Sequence, residues 1–124
     1  MLLCGKLQYI MFIDEKTQVE ILADLNSSLI HGTFRSCDLI PAFLGVIENT
    51  PEYTQIMQTN NYNLKVIFDC SADDNDERWK SDDIFYFLNE DLFDILNNYA
   101  PGGYYFGAHP GNDSDFGFWV IDDL

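Results

Sequence analysis

Tyr104-Tyr105-Phe106-Gly107-Ala108, then His109-Pro110-Gly111-Asn112-Asp113-Ser114-Asp115, then Phe116-Gly117-Phe118-Trp119-Val120-Ile121 form two aromatic runs around a segment of turn-forming residues. Strand formers on both sides of a Pro-Gly-Asn-Asp cluster are the pattern of a β-hairpin. A lone hairpin is marginal in water, so a further strand is required. Upstream, Leu64-Lys65-Val66-Ile67-Phe68-Asp69-Cys70 is short, rich in strand formers and preceded by the polar tract 59–63. It is predicted to be the third strand of a small antiparallel sheet.

The remaining patterns are helical. Thr17 followed by Glu20 reads as a capping box, and Ile21, Leu22, Leu25 and Leu29 supply a stripe, so a first helix is predicted over 17–30. His31 then lies beside its C-terminus, where an imidazolium favours the helix dipole. Asp38 can cap a second helix with Leu39, Ile40, Phe43, Leu44 and Ile47 facing inward, Pro41 falling in its first turn. Thr50-Pro51 opens a short helix to about Gln58. Residues 71–83 are polar apart from Trp79 and read as an exposed connection. Ser81 caps the strongest helix, with Asp82 and Asp83 in its first turn, and Pro101-Gly102-Gly103 stops it. Its predicted buried face is Phe85, Leu88, Leu92, Ile95, Leu96 and Tyr99. The fold class that follows is α+β: N-terminal helices and one long acidic helix packed on a small antiparallel sheet that ends in the hairpin.

A chain of 124 residues and 14.3 kDa is sized for one domain, 1–124, and buries roughly two thirds of its unfolded surface. An apolar content of 47% with 15% aromatic residues excludes the disordered class. Six basic residues against 21 acidic ones give a net charge of −15 and a pI near 4.1. That sign opposes phosphate neutralisation, which excludes direct binding to nucleic acid and to anionic membranes. Met1 to Ile13 has neither a basic n-region nor a small-residue cleavage site, and no stretch reaches the roughly 20 apolar residues of a membrane span. A cytoplasmic protein is expected.

Catalytic and metal signatures are sparse. Cys4, Cys37 and Cys70 form no Cys-x-x-Cys pair, and their flanks share no repeat, so buried reduced thiols are expected. Arg35 is the only positive neighbour of Cys37, too little to predict an activated thiolate. No Gly-x-Ser-x-Gly elbow, phosphate-binding loop or His-Glu-x-x-His is present. His109, Asn112, Asp113 and Asp115 lie within seven residues and could hold a cation or pair a base with a carboxylate. A turn whose Asn and Asp side chains bond their own backbone accounts for the same residues. The expectation is therefore no catalytic residue, no metal and no cofactor, with a metal-dependent enzyme at His109 and Asp115 the least favoured alternative.

The segment 104–119, the helix end Asn98-Tyr99-Ala100-Pro101 and the stretch Asp38-Leu39-Ile40-Pro41-Ala42-Phe43-Leu44 resemble small uncharacterised acidic proteins of phages, prophages and bacterial mobile elements. The likeness covers about half of the chain and departs at Asn112-Asp113, where an Asp-Gly turn is expected. No activity or catalytic residue comes with it. The resemblance implies a genomic neighbourhood rather than a mechanism.

Between Asp69 and Asp94 ten acids face only Arg78 and Lys80, a local balance of −8. Asp83, Glu90, Asp91 and Asp94 fall mainly opposite the apolar stripe and are predicted to project into water. Carboxylates a few ångströms apart can resemble a phosphate ladder of one charge per roughly 1.7 Å of duplex. Charge and resemblance together predict a non-enzymatic acidic inhibitor, of anti-CRISPR or anti-restriction type. It would block the basic nucleic-acid-binding surface of a CRISPR effector or restriction enzyme. The contact is expected at Asp73, Asp74, Asp76, Glu77, Glu90, Asp91 and Asp94. The rival is a structural or housekeeping interaction module that pairs the aromatic hairpin with a sheet edge or with itself.

Overall fold

The hairpin forms as predicted: β2, Tyr104–His109, pairs antiparallel with β3, Asn112–Val120, in a computed structural model that describes residues 17–121. Phe106, Phe116 and Phe118 point to the core side, and the alternate residues Tyr105, Gly107, Gly117 and Trp119 to the other. The indole of Trp119 lies against Gly117 and donates its N–H to the Gly107 carbonyl at 2.9 Å, while His109 meets it edge-on at 4.6 Å.

The third strand is not the predicted one. Residues 17–23 are helical, here α1, after which the chain turns at Asn26 (φ 58°) and runs as β1, Ser28–His31, antiparallel to β3. Asn26 donates its N–H to Phe118 O and accepts from Val120 N–H through its side chain, which ties the turn to the C-terminal end of β3. The helix predicted to 30 therefore stops seven residues early, and His31 is a strand residue opposite Asp115. The capping box does not form either: Thr17 is buried, and its hydroxyl has no hydrogen-bond partner among the described residues. With β1 on β3, the segment 64–70 is not part of the sheet; Tyr62–Phe68 coils as a 3-10 helix, and Asn61 accepts from Asn63 N–H at its start. Its Leu64 and Val66 still reach the core.

Helix α2, Ser36–Val46, begins at Arg35 rather than Asp38, which puts Pro41 in the second turn instead of the first. Asp38 is inside the helix and clamps its entry, accepting from Thr33 Oγ1 at 2.6 Å and from the Arg35 fork at 2.8 and 3.0 Å. Leu39, Ile40, Phe43, Leu44 and Ile47 are buried as predicted. α3, Pro51–Met57, starts where expected, with Thr50 accepting from Tyr53 N–H.

The acidic helix, here α4, spans 82–98 in three parts: α-helical Asp82–Tyr86, a π-helical segment Phe87–Leu92 and α-helical Phe93–Asn98. Ser81 caps it by accepting from Ile84 N–H. Ile84, Leu88, Leu92 and Leu96 are buried at a strict spacing of four. Such a row drifts around a helix of 3.6 residues per turn; the wider i→i+5 turn takes up the drift and keeps it on one face. The phase change also buries Phe87 and leaves Phe85, predicted to be buried, 66% exposed. Phe43, Phe93, Phe106 and Phe116 then meet edge to face with centroids 5.0–6.1 Å apart, the joint between α2, α4 and the sheet.

Candidate functional site

In the stretch 69–80 the carboxylates first serve the local backbone. Asp69 accepts from Ser71 N–H, Asp73 from Asn75 N–H and Asp76 from Arg78 N–H, each two residues on, so the chain is held as successive Asx turns. Trp79 closes the loop, its indole N–H donating to Asp73 O at 3.2 Å.

Several of these acids are also neutralised. The Arg78 guanidinium bridges Asp69 at 2.7 Å and Asp76 at 2.8 Å. Its hydrogen bonds, with those of Ser71, hold Asp69 down at about 2, and Arg78 likewise keeps Asp76 below the usual carboxylate range. Arg35, paired to Asp38, also lies 3.6 Å from Asp74. Of the four loop residues predicted to meet a partner, Asp73 and Glu77 have no ion pair among the described residues, whereas Asp74 and Asp76 do.

α4 is different. Asp83, Glu90, Asp91 and Asp94 are exposed, as predicted, and so is Asp82; none forms an ion pair among the described residues, and Asp83 accepts a hydrogen bond from the Asn63 amide. Glu90, Asp91 and Asp94 put three carboxylates within five residues; at about 1.5 Å rise this is one charge per about 2.5 Å of axis, sparser than the one per roughly 1.7 Å of a nucleic-acid duplex but of the same order.

Beside this face, between α3 and α4, runs a groove of about 420 Å³. Glu52 of α3 and Asp91 and Asp94 of α4 line it with carboxylates, and Ile56, Leu64, Phe87 and Ile95 give it an apolar floor. Tyr99 donates its hydroxyl proton to Glu52 at 2.8 Å and so fixes that carboxylate. The π segment contributes both Phe87 and Asp91, and wide turns of this kind recur at functional sites. Glu52 was not among the predicted contact residues: it stands seventeen residues before Asp69 in the chain, and only packing of α3 brings it here.

The other candidates do not assemble. His109 Nδ1 accepts from Gly111 N–H and its ring packs on Trp119, whereas Asp115 accepts from Ser28 across the β1 pairing. The histidine and the carboxylate serve different contacts. Asn112 accepts from both the N–H and the hydroxyl of Ser114, which is the self-bonded turn. Cys37, Asp38 and Asp74 place ligand atoms within 4.8 Å of one another, but the Arg35 guanidinium already bonds both carboxylates. Burial and the neighbouring Asp38 push the Cys37 thiol up, away from a thiolate nucleophile. Contrary to the buried-thiol expectation, Cys37 is half-buried and Cys70 exposed; Cys4 lies outside the described residues.

The hairpin edge is also engaged. Tyr104 N–H donates to Pro101 O, Phe106 N–H to the Asn97 side chain, and Ala108 O accepts from Tyr105, so these groups are not open to an added strand. No helix among the described residues is long and apolar enough to cross a membrane. No family model matches the chain, and no curated protein or solved structure matches it.

Proposed function

We propose that this protein is a non-enzymatic acidic inhibitor, a phage or mobile-element protein of anti-CRISPR or anti-restriction type. It acts in the host bacterial cytoplasm by covering the basic nucleic-acid-binding surface of an enzyme such as a CRISPR effector or restriction enzyme. The observation that carries the reading is the row Glu90, Asp91 and Asp94: exposed, without ion pairs among the described residues, and with one negative charge per about 2.5 Å of helix axis, of the same order as a phosphate backbone. Uncompensated like charges repel, and a partner's Lys and Arg relieve that repulsion while steering association. The loop acids Asp73 and Glu77 extend the same sign of charge, whereas Asp74 and Asp76 are held by arginines and contribute less.

The test is capture on the immobilised chain from a bacterial lysate, with elution in a salt series and a nucleic-acid competition assay on the captured protein. Charge-driven contact weakens as the Debye length falls from about 10 Å at 0.1 M to about 3 Å at 1 M, so the partner should elute below molar salt and lose its nucleic-acid binding to the inhibitor. Glu90→Lys, Asp91→Lys and Asp94→Lys together should abolish capture. A partner retained in molar salt, or one that binds nucleic acid equally well with the inhibitor present, refutes the reading.

A further inference from the structure

The groove between α3 and α4 differs from the rest of the acidic surface in having an apolar floor beneath its carboxylates. A carboxylate row alone attracts any cation. A groove that places Glu52, Asp91 and Asp94 around Ile56, Leu64, Phe87 and Ile95 suits a cation carried on an apolar stem. Its volume of about 420 Å³ lies within the range of small-ligand sites. Glu52 is pre-oriented by the Tyr99 hydroxyl, so part of the ordering cost of binding is met before a ligand arrives.

We propose that this groove docks an arginine side chain presented by a flexible basic segment of a protein partner, with the stem on the apolar floor and the guanidinium among the three carboxylates. Charge complementarity selects a cation, and the spread of carboxylates over two helices favours arginine over lysine. The guanidinium carries five N–H donors in a planar fork and is more weakly hydrated than an ammonium. The same arginines that hold phosphates in a nucleic-acid channel have this chemistry. The inference rests on the reading of the carboxylate face as a protein-docking surface and names the side chain that it takes.

The probe is the blocked pentapeptide Ala-Leu-Arg-Leu-Ala, titrated into the full chain and followed by amide chemical shifts, beside its lysine and citrulline counterparts and spermidine. Shifts are expected at residues 52–59 and 87–95, with the citrulline peptide at least tenfold weaker and the lysine peptide severalfold weaker. Asp91→Asn with Asp94→Asn should weaken the arginine peptide about tenfold, the effect of two partly desolvated ion pairs. Glu20→Gln with Asp24→Asn removes the same charge at exposed positions outside the groove and should leave the affinity within about twofold. The amide spectrum of each variant verifies its fold. The inference is overturned by shifts that map to residues 69–80 instead, by equal binding of the citrulline peptide, by spermidine matching the peptide, or by no shift at millimolar peptide. A silent groove with salt-sensitive capture of a partner intact refutes this inference alone, whereas loss of both refutes the wider reading.

Discussion

Gly107 and Gly117 stand opposite each other in the hairpin, yet alanine should be tolerated at one and not at the other. A Cβ on Gly107 would meet only the Tyr105 ring, at 3.4 Å, an ordinary contact with a movable side chain. A Cβ on Gly117 would lie 2.5 Å from the Ser27 carbonyl oxygen and 3.1 Å from the Trp119 indole. Real Cβ atoms essentially never come closer than 3.0 Å, so the Ser27 backbone must retreat by about half an ångström, and Ser27 leads directly into β1. Overpacking a buried site costs typically about 1–3 kcal/mol, while replacing a strand glycine by alanine returns roughly 0.5–1 kcal/mol. The expected balance is a loss of about 1–2 kcal/mol for Gly117→Ala and a change near zero or slightly stabilising for Gly107→Ala. For a domain of this size that corresponds to a drop in melting temperature of roughly 4–10 °C for the first variant. Thermal and urea melts measure both, and amide exchange at Ile30 and His31 should quicken only in the first. Equal melting temperatures for the two variants would refute the argument that β1 seats against a bare Gly117.

Within α4, Ile84→Ala should cost about 2–5 kcal/mol because Ile84 is fully buried, whereas Phe85→Ala should stay within about 0.5 kcal/mol; urea melts giving the reverse order would show that the π segment does not set the phase. Asp69 should titrate near pH 2 by carboxyl NMR and move back toward the ordinary value of about 3.9 in Arg78→Ala. Because its folded value is depressed, the stabilisation it contributes is present above about pH 4 and is lost as the pH falls toward 2, so the folding stability of Arg78→Ala, read from urea melts, should fall less steeply with pH across that window than that of the parent. An unchanged Asp69 titration in the variant would remove the arginine as its cause.

Elements whose signals are local were legible in the chain itself. Thr50-Pro51 and Ser81 cap their helices because a hydroxyl and its N–H partner lie three residues apart. The hairpin follows from turn residues between two aromatic runs. Asn26-Ser27-Ser28 was a turn signal within reach: Asn tolerates the left-handed conformation, and these polar residues interrupt the stripe read as one helix. What packing alone decided was which segment became the third strand. Residues 64–70 have the stronger strand composition, but β1 takes the place beside β3, and 62–68 instead buries Leu64 and Val66 from a 3-10 helix. Packing likewise set the phase of α4, where burial of residues spaced by four overrode the 3.6-residue period and turned Phe85 outward. The distribution of the acidic charge was decided in the same way. Composition counts carboxylates equally, but Arg78 reaches across nine residues to Asp69, Arg35 approaches Asp74 from another element, and Glu52 joins Asp91 and Asp94 only through α3, because ion pairing and groove formation depend on distances that close when the helices pack.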